Sequence, residues 1–114
     1  MKHYALLFRS TRTLTPDEVK QRAIDIAAWV KGVTARGILL DPRNFGPTEA
    51  NFSAEGSEVI HREGSEDPTL TTIVFFDSSS TDDALEIACI HPGLRYGVTV
   101  EVREWTSPRE TTAH

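Results

Sequence analysis

The chain has one cysteine, Cys89, among 114 residues. One thiol makes no intramolecular disulfide and no cysteine metal cluster. The four histidines, His3, His61, His91 and His114, share no ligand spacing, so no metal site is expected. Basic clusters are also missing. Lys and Arg total 12 and are scattered, against 17 acidic residues, for a net charge of −5. Such a surface gives nucleic acid and anionic membranes little to hold. Long apolar runs are absent too. The N-terminal run is about five residues, far short of the roughly 20 that span a bilayer and too short for a secretory core. The expected compartment is the cytoplasm. No phosphate loop, dinucleotide fingerprint or nucleophile elbow occurs, so no cofactor is expected.

What is present is globular composition, 39% hydrophobic and 25% charged, at the length of one domain. The expected domain is 1–105, with 106–114 a flexible tail carrying Pro108. Residues 3–9 are apolar on both alternating faces, which is how a central strand covered on two sides reads. Thr15-Pro16-Asp17-Glu18 is a helix start: an N-cap, a proline at the first helical position, and a glutamate completing a capping box. The helix is expected to reach about Arg36, with Gly37 as its left-handed stop. Val19, Ala23, Ile26, Ala27, Val30 and Val33 share one face of it, with Trp29 at that face's edge and Arg22 two turns earlier.

Residues 38–41 read as a short strand ended by Pro42, and 42–50 as loop. A hairpin turns at Glu55-Gly56-Ser57, between 51–54 and 58–62. Residues 63–68 read as another turn. Residues 70–77 are again apolar on both faces and form a second central strand. Ser80 caps a helix expected over 81–91, stopped by Pro92, and 97–105 is the last strand.

This order, β-α-β-(hairpin)-β-α-β, predicts an α+β fold: a ferredoxin-like βαββαβ subunit with an extra hairpin and both helices on one face. The other face keeps half of the apolar residues of both central strands. Left in water it would expose several hundred Å², which monomers avoid. A homodimer is therefore expected, with a twofold copy of the sheet covering that face.

The stretches YALLFRS, LTPDE, AWVKGVTARGILLDP, DDALEIACIHPG and GVTVEVREW resemble the YCII-related family, also called the DGPF family, from about His3 to Trp105. The resemblance implies a dimeric α+β barrel with a pocket between sheet and helices. The wider superfamily holds isomerases, monooxygenases and dehalogenating enzymes, so the fold alone names no reaction. The DGPF subgroup's Asp-Gly-Pro-Phe motif after the hairpin is absent, and that segment reads His61-Arg62-Glu63-Gly64-Ser65-Glu66-Asp67-Pro68. The histidine that the YCII branch carries in its first helix is also missing, and that neighbourhood reads Arg22-Ala23-Ile24-Asp25. Asp41 stands roughly where the family's aspartate would.

The candidate catalytic groups are His91 and Asp41. His91, placed in the second helix with Ala84, Ile87 and Ala88, points at the sheet, where an imidazole can exchange protons near neutrality. The alternative is a helix-end histidine that serves the cap and dipole. Asp41 at a strand end orients a histidine, acts as a base, or caps the loop by accepting from backbone amides. Arg9, Arg103 and Trp105 are candidate substrate-binding residues for an anionic or aromatic ligand, or, as the enrichment of Trp and Arg at interfaces favours, dimer contacts. Three functions stay open: a cofactor-free acid-base enzyme of the lyase or isomerase type, a non-catalytic small-molecule binder, and a structural interaction domain.

Overall fold

A computed structural model describes residues 1–64 and 67–109. The strands are β1 (Lys2–Ser10), β2 (Asp41–Asn44), β3 (Asn51–Glu55), β4 (Glu58–Arg62), β5 (Leu70–Ser78) and β6 (Val98–Trp105). The helices are α1 (Pro16–Ala35) and α2 (Thr81–Cys89), and a 3-10 turn spans Pro92–Tyr96. Four strands form one antiparallel sheet in the order β2-β5-β1-β6. The two doubly apolar strands are its central pair, because only there does backbone on both edges find ladder partners while both faces carry apolar side chains. This is the ferredoxin-like α+β arrangement, with β3–β4 as a separate hairpin turning at Gly56, φ +58°. The tail expected over 106–114 falls largely outside the described residues, as does the Ser65–Glu66 part of the turn expected over 63–68.

Alternation assigns the two faces. Tyr4, Leu6, Phe8, Val74 and Phe76 point to the helices and form the core with Trp29, Val33, Ala84, Ile87 and Ala88. α2 lies on β1, β5 and β6. Its N-cap is Ser80, whose hydroxyl accepts from the Asp83 amide. α1 begins with a complete capping box: the Thr15 hydroxyl accepts from the Glu18 amide, and the Glu18 carboxylate accepts from the Thr15 amide.

Three local expectations change. The second strand is 41–44 rather than 38–41, and Pro42 lies inside it. β2 is an edge strand, so a residue without an N–H is tolerated there. α2 ends at Cys89, so His91 is not helical; it is the N-cap of the 3-10 turn. On α1 the buried residues are Trp29 and Val33, while Val19 and Val30 stay partly in solvent at 44% and 39%. Trp29 is the centre of the contact rather than its edge, because its indole N–H reaches the Ile87 carbonyl on α2 at 3.0 Å. α1 therefore rests on the 3-10 turn and is tied to α2 through that hydrogen bond, instead of pressing its whole apolar stripe on the strands. The space left under its other apolar residues is the site described next.

Candidate functional site

The gap between α1 and the sheet is an open cavity of about 740 Å³. Phe8 and Val74 form its floor, Ile26, Trp29 and Val30 its roof, and Leu40 and Pro42 one wall. Polar groups are few: Ser10, Asn44, Thr71 and Thr72 from the strands, Arg22 from α1, and His91. Mostly apolar walls with a small set of converging polar groups are how small-molecule sites are built. No aspartate or glutamate lines the cavity among the described residues.

His91 is 7% exposed and sits between two rings. Phe8 and Trp29 each place a ring centroid 4.6 Å from the imidazole, tilted by 52° and 71°. Its Nδ1 accepts the Gly93 amide at 3.0 Å. Burial without a counter-charge holds it well below its ordinary value of 6.5, at about 4. The ring is thus neutral at pH 7. Among the described residues no buried side-chain nitrogen or oxygen lacks a partner. His91 Nε2 has no protein partner there, so that nitrogen opens on to the cavity.

Arg22 is half-buried and makes no ion pair among the described residues. It is the one charged side chain lining the cavity there. Asn44 and Thr72 are already joined, the Thr72 hydroxyl donating to Asn44 Oδ1 at 3.0 Å.

The other candidates lie across the sheet. Asp41 pairs in register with Phe75, and Pro42 with Val74. Pro42 and Val74 line the cavity, so alternation turns Asp41 to the far face, where its carboxylate takes two hydrogen bonds from Arg43 at 3.2 and 3.0 Å. Arg9 is on that face too, donating to Asp67 at 2.8 Å and to Glu101 at 2.7 Å. Arg103 lies 3.8 Å from Glu101. Trp105 stacks on His3 at 4.6 Å and meets Phe75 edge-on at 6.2 Å. These four share the sheet's far face, with Ala5, Leu7, Ile73 and Phe75 between its two edges, and none of them lines the cavity with His91. That strip, with ion pairs around it, is the face left open by a single chain.

Sequence reasoning passed over Arg22, Asn44 and Thr72. For Arg22 a signal existed: positions 22, 26, 29 and 30 form one helical stripe. Asn44 and Thr72 carried none, because their meeting depends on the β2–β5 register. Among the described residues no group of three or more metal-ligating side chains gathers anywhere.

The chain shares its fold with an aromatic dehydrochlorinase. That protein is 5-chloro-2-hydroxyhydroquinone dehydrochlorinase (TftG) from Burkholderia phenoliruptrix, solved in complex with 2,5-dihydroxybenzoquinone. It is 14% identical, with a TM-score of 0.51, over 94% of this chain and 97% of that one. No family model and no curated protein matches the sequence. No helix among the described residues is long and apolar enough to cross a membrane.

Proposed function

We propose that this protein takes a small hydroxylated or carboxylated aromatic compound, in its anionic form, into the cavity between α1 and the sheet, and acts on it without a cofactor. The observation that carries this reading is the lining itself. One guanidinium, in no ion pair among the described residues, and one neutral imidazole open on to apolar, partly aromatic walls, with no carboxylate among the described lining residues. Such a site favours a flat ligand that brings its own negative charge. Arg22 supplies the counter-charge, and burial strengthens that contact. The complexed quinone of the dehydrochlorinase is a compound of this kind.

In the catalytic form of the proposal the reaction is of the lyase or isomerase type. An anionic leaving group departs with its bonding pair to solvent through the open cavity, the ionised ring oxygen supplying the electrons that replace it, and any proton lost passes to that solvent, while Arg22 and His91 steady the oxygen that holds the charge. Asp41, Arg9, Arg103 and Trp105 have no part in it. They belong to a homodimer contact through the open sheet face, which we include in the proposal together with a cytoplasmic setting and kinship to the YCII-related family. The lack of a carboxylate among the described lining residues also favours a second reading, a binder that sequesters or senses the same compounds.

Thermal shift tests the proposal directly. The anionic probes 2,5-dihydroxybenzoquinone and salicylate raise the melting temperature of the wild-type chain, and neutral hydroquinone does not. Arg22→Met removes the shift. Equal response to charged and neutral probes, or unchanged binding by Arg22→Met, overturns the assignment. Recovery of every bound probe unaltered after long incubation selects the binder.

A further inference from the structure

His91 is usually the kind of residue assigned the role of a base. The geometry argues otherwise. A neutral imidazole has one protonated and one bare nitrogen, and whichever accepts a hydrogen bond is the bare one. Here Nδ1 accepts the Gly93 amide at 3.0 Å, so the proton sits on Nε2, the nitrogen that opens on to the cavity.

The lock is built into the chain. His91 is the N-cap of the 3-10 turn, with φ −63° and ψ 128°, and its ring folds over its own backbone two residues on. Gly93 is what allows this approach. A Cβ on Gly93 would lie 3.0 Å from His91 Nδ1, 3.1 Å from its Cε1 and 3.3 Å from Val98 Cβ. Phe8 and Trp29 then hold the ring between them. Turning the ring over would leave the Gly93 amide without its acceptor in a buried site. Among the described residues Arg22 is the one charged group lining the cavity, and no carboxylate among them lines it to raise the imidazole's proton affinity.

We infer that His91 is a fixed, neutral Nε2–H donor rather than a proton acceptor, and that the cavity selects ligands presenting an anionic oxygen to it. The donor role deepens the small-anion reading above and rests on it. The tautomer does not. A neutral imidazole donor holds an oxyanion without surrendering its proton, so recognition at His91 stays constant across neutral pH. A pocket base would instead need a bare Nε2.

Nitrogen-15 NMR of the labelled wild-type chain reads the tautomer without any ligand. Nε2 is expected to give a protonated, pyrrole-type signal and Nδ1 a bare, pyridine-type one, unchanged from about pH 8 to about pH 5.5. A protonated Nδ1, or an averaged pair of shifts, overturns the inference whether or not a probe binds. The ligand arm uses 2,5-dihydroxybenzoquinone in titration calorimetry. His91→Gln keeps an N–H at similar reach and holds the affinity within about threefold, while His91→Leu loses about tenfold or more. Equal affinities for the two variants remove the donor role. Failure of the probe to bind the wild-type chain sinks the small-anion reading and the donor role resting on it, and leaves the tautomer to be decided by the spectrum.

Discussion

The indole N–H of Trp29 donates to the carbonyl oxygen of Ile87 at 3.0 Å, which ties α1 to α2 and props α1 above the sheet. The same ring stands edge-on to His91. One side chain therefore both opens the cavity and forms part of its wall.

Trp29→Phe keeps most of the apolar bulk and removes the donor. The Ile87 carbonyl at the buried contact then loses its partner, at a cost of about 1–2 kcal/mol. Urea unfolding measures it. A midpoint unchanged from wild type would show that the tie contributes nothing.

His91 makes stability fall in mild acid. Its imidazole titrates near 6.5 when unfolded and at about 4 when folded. Between those values the unfolded chain binds a proton that the folded chain does not. Stability is complete above pH 6.5 and is lost as pH falls through the folded value, by about 3 kcal/mol in total. Glu18 is held at about 2 by the Arg12 guanidinium and then by the Thr15 amide, so its own loss begins only below about 4.5. Unfolding followed from about pH 7.5 to about pH 5 should show a decline in the wild type that flattens in His91→Phe. Parallel slopes in the two chains would contradict the assignment.

Thr15→Ala removes the hydroxyl that accepts the Glu18 amide. The expected loss is about 1 kcal/mol, seen as a lower melting temperature. Thr15→Ser keeps the cap and should restore most of it.

The open sheet face predicts a dimer. Light scattering at micromolar concentration should give about twice the 12.7 kDa chain mass. Phe75→Asp puts a charge at the centre of that face, beside Trp105, and should halve the measured mass. A wild-type monomer would rule the contact out.

Legibility differed from element to element. The capping box at Thr15 and Glu18 was plain, because its bonds join residues three apart. The central places of β1 and β5 were plain too, because a strand apolar on both faces has few other homes. Pro42 was misleading. It reads as a strand end in isolation and is harmless on an edge, and edge position is a property of the sheet. Asp41 begins the strand instead of ending it, and its register with Phe75 turns its side chain to the far face, because side chains alternate residue by residue. Trp29 read as peripheral by helical angle, yet its N–H found an acceptor on a helix 58 residues away in sequence.

The sequence by itself determined the elements, their ferredoxin-like order and the two-sided apolarity of the central strands. These follow from interactions between near neighbours and from the periods of helix and strand. The tertiary structure alone decided which ionisable groups meet. It placed His91 and Arg22 on one cavity, and Asp41, Arg9, Arg103 and Trp105 across the sheet from them. The reason is that strand register and the lean of one helix on another are set by contacts between residues far apart in the chain. A shift of one residue there exchanges the two faces.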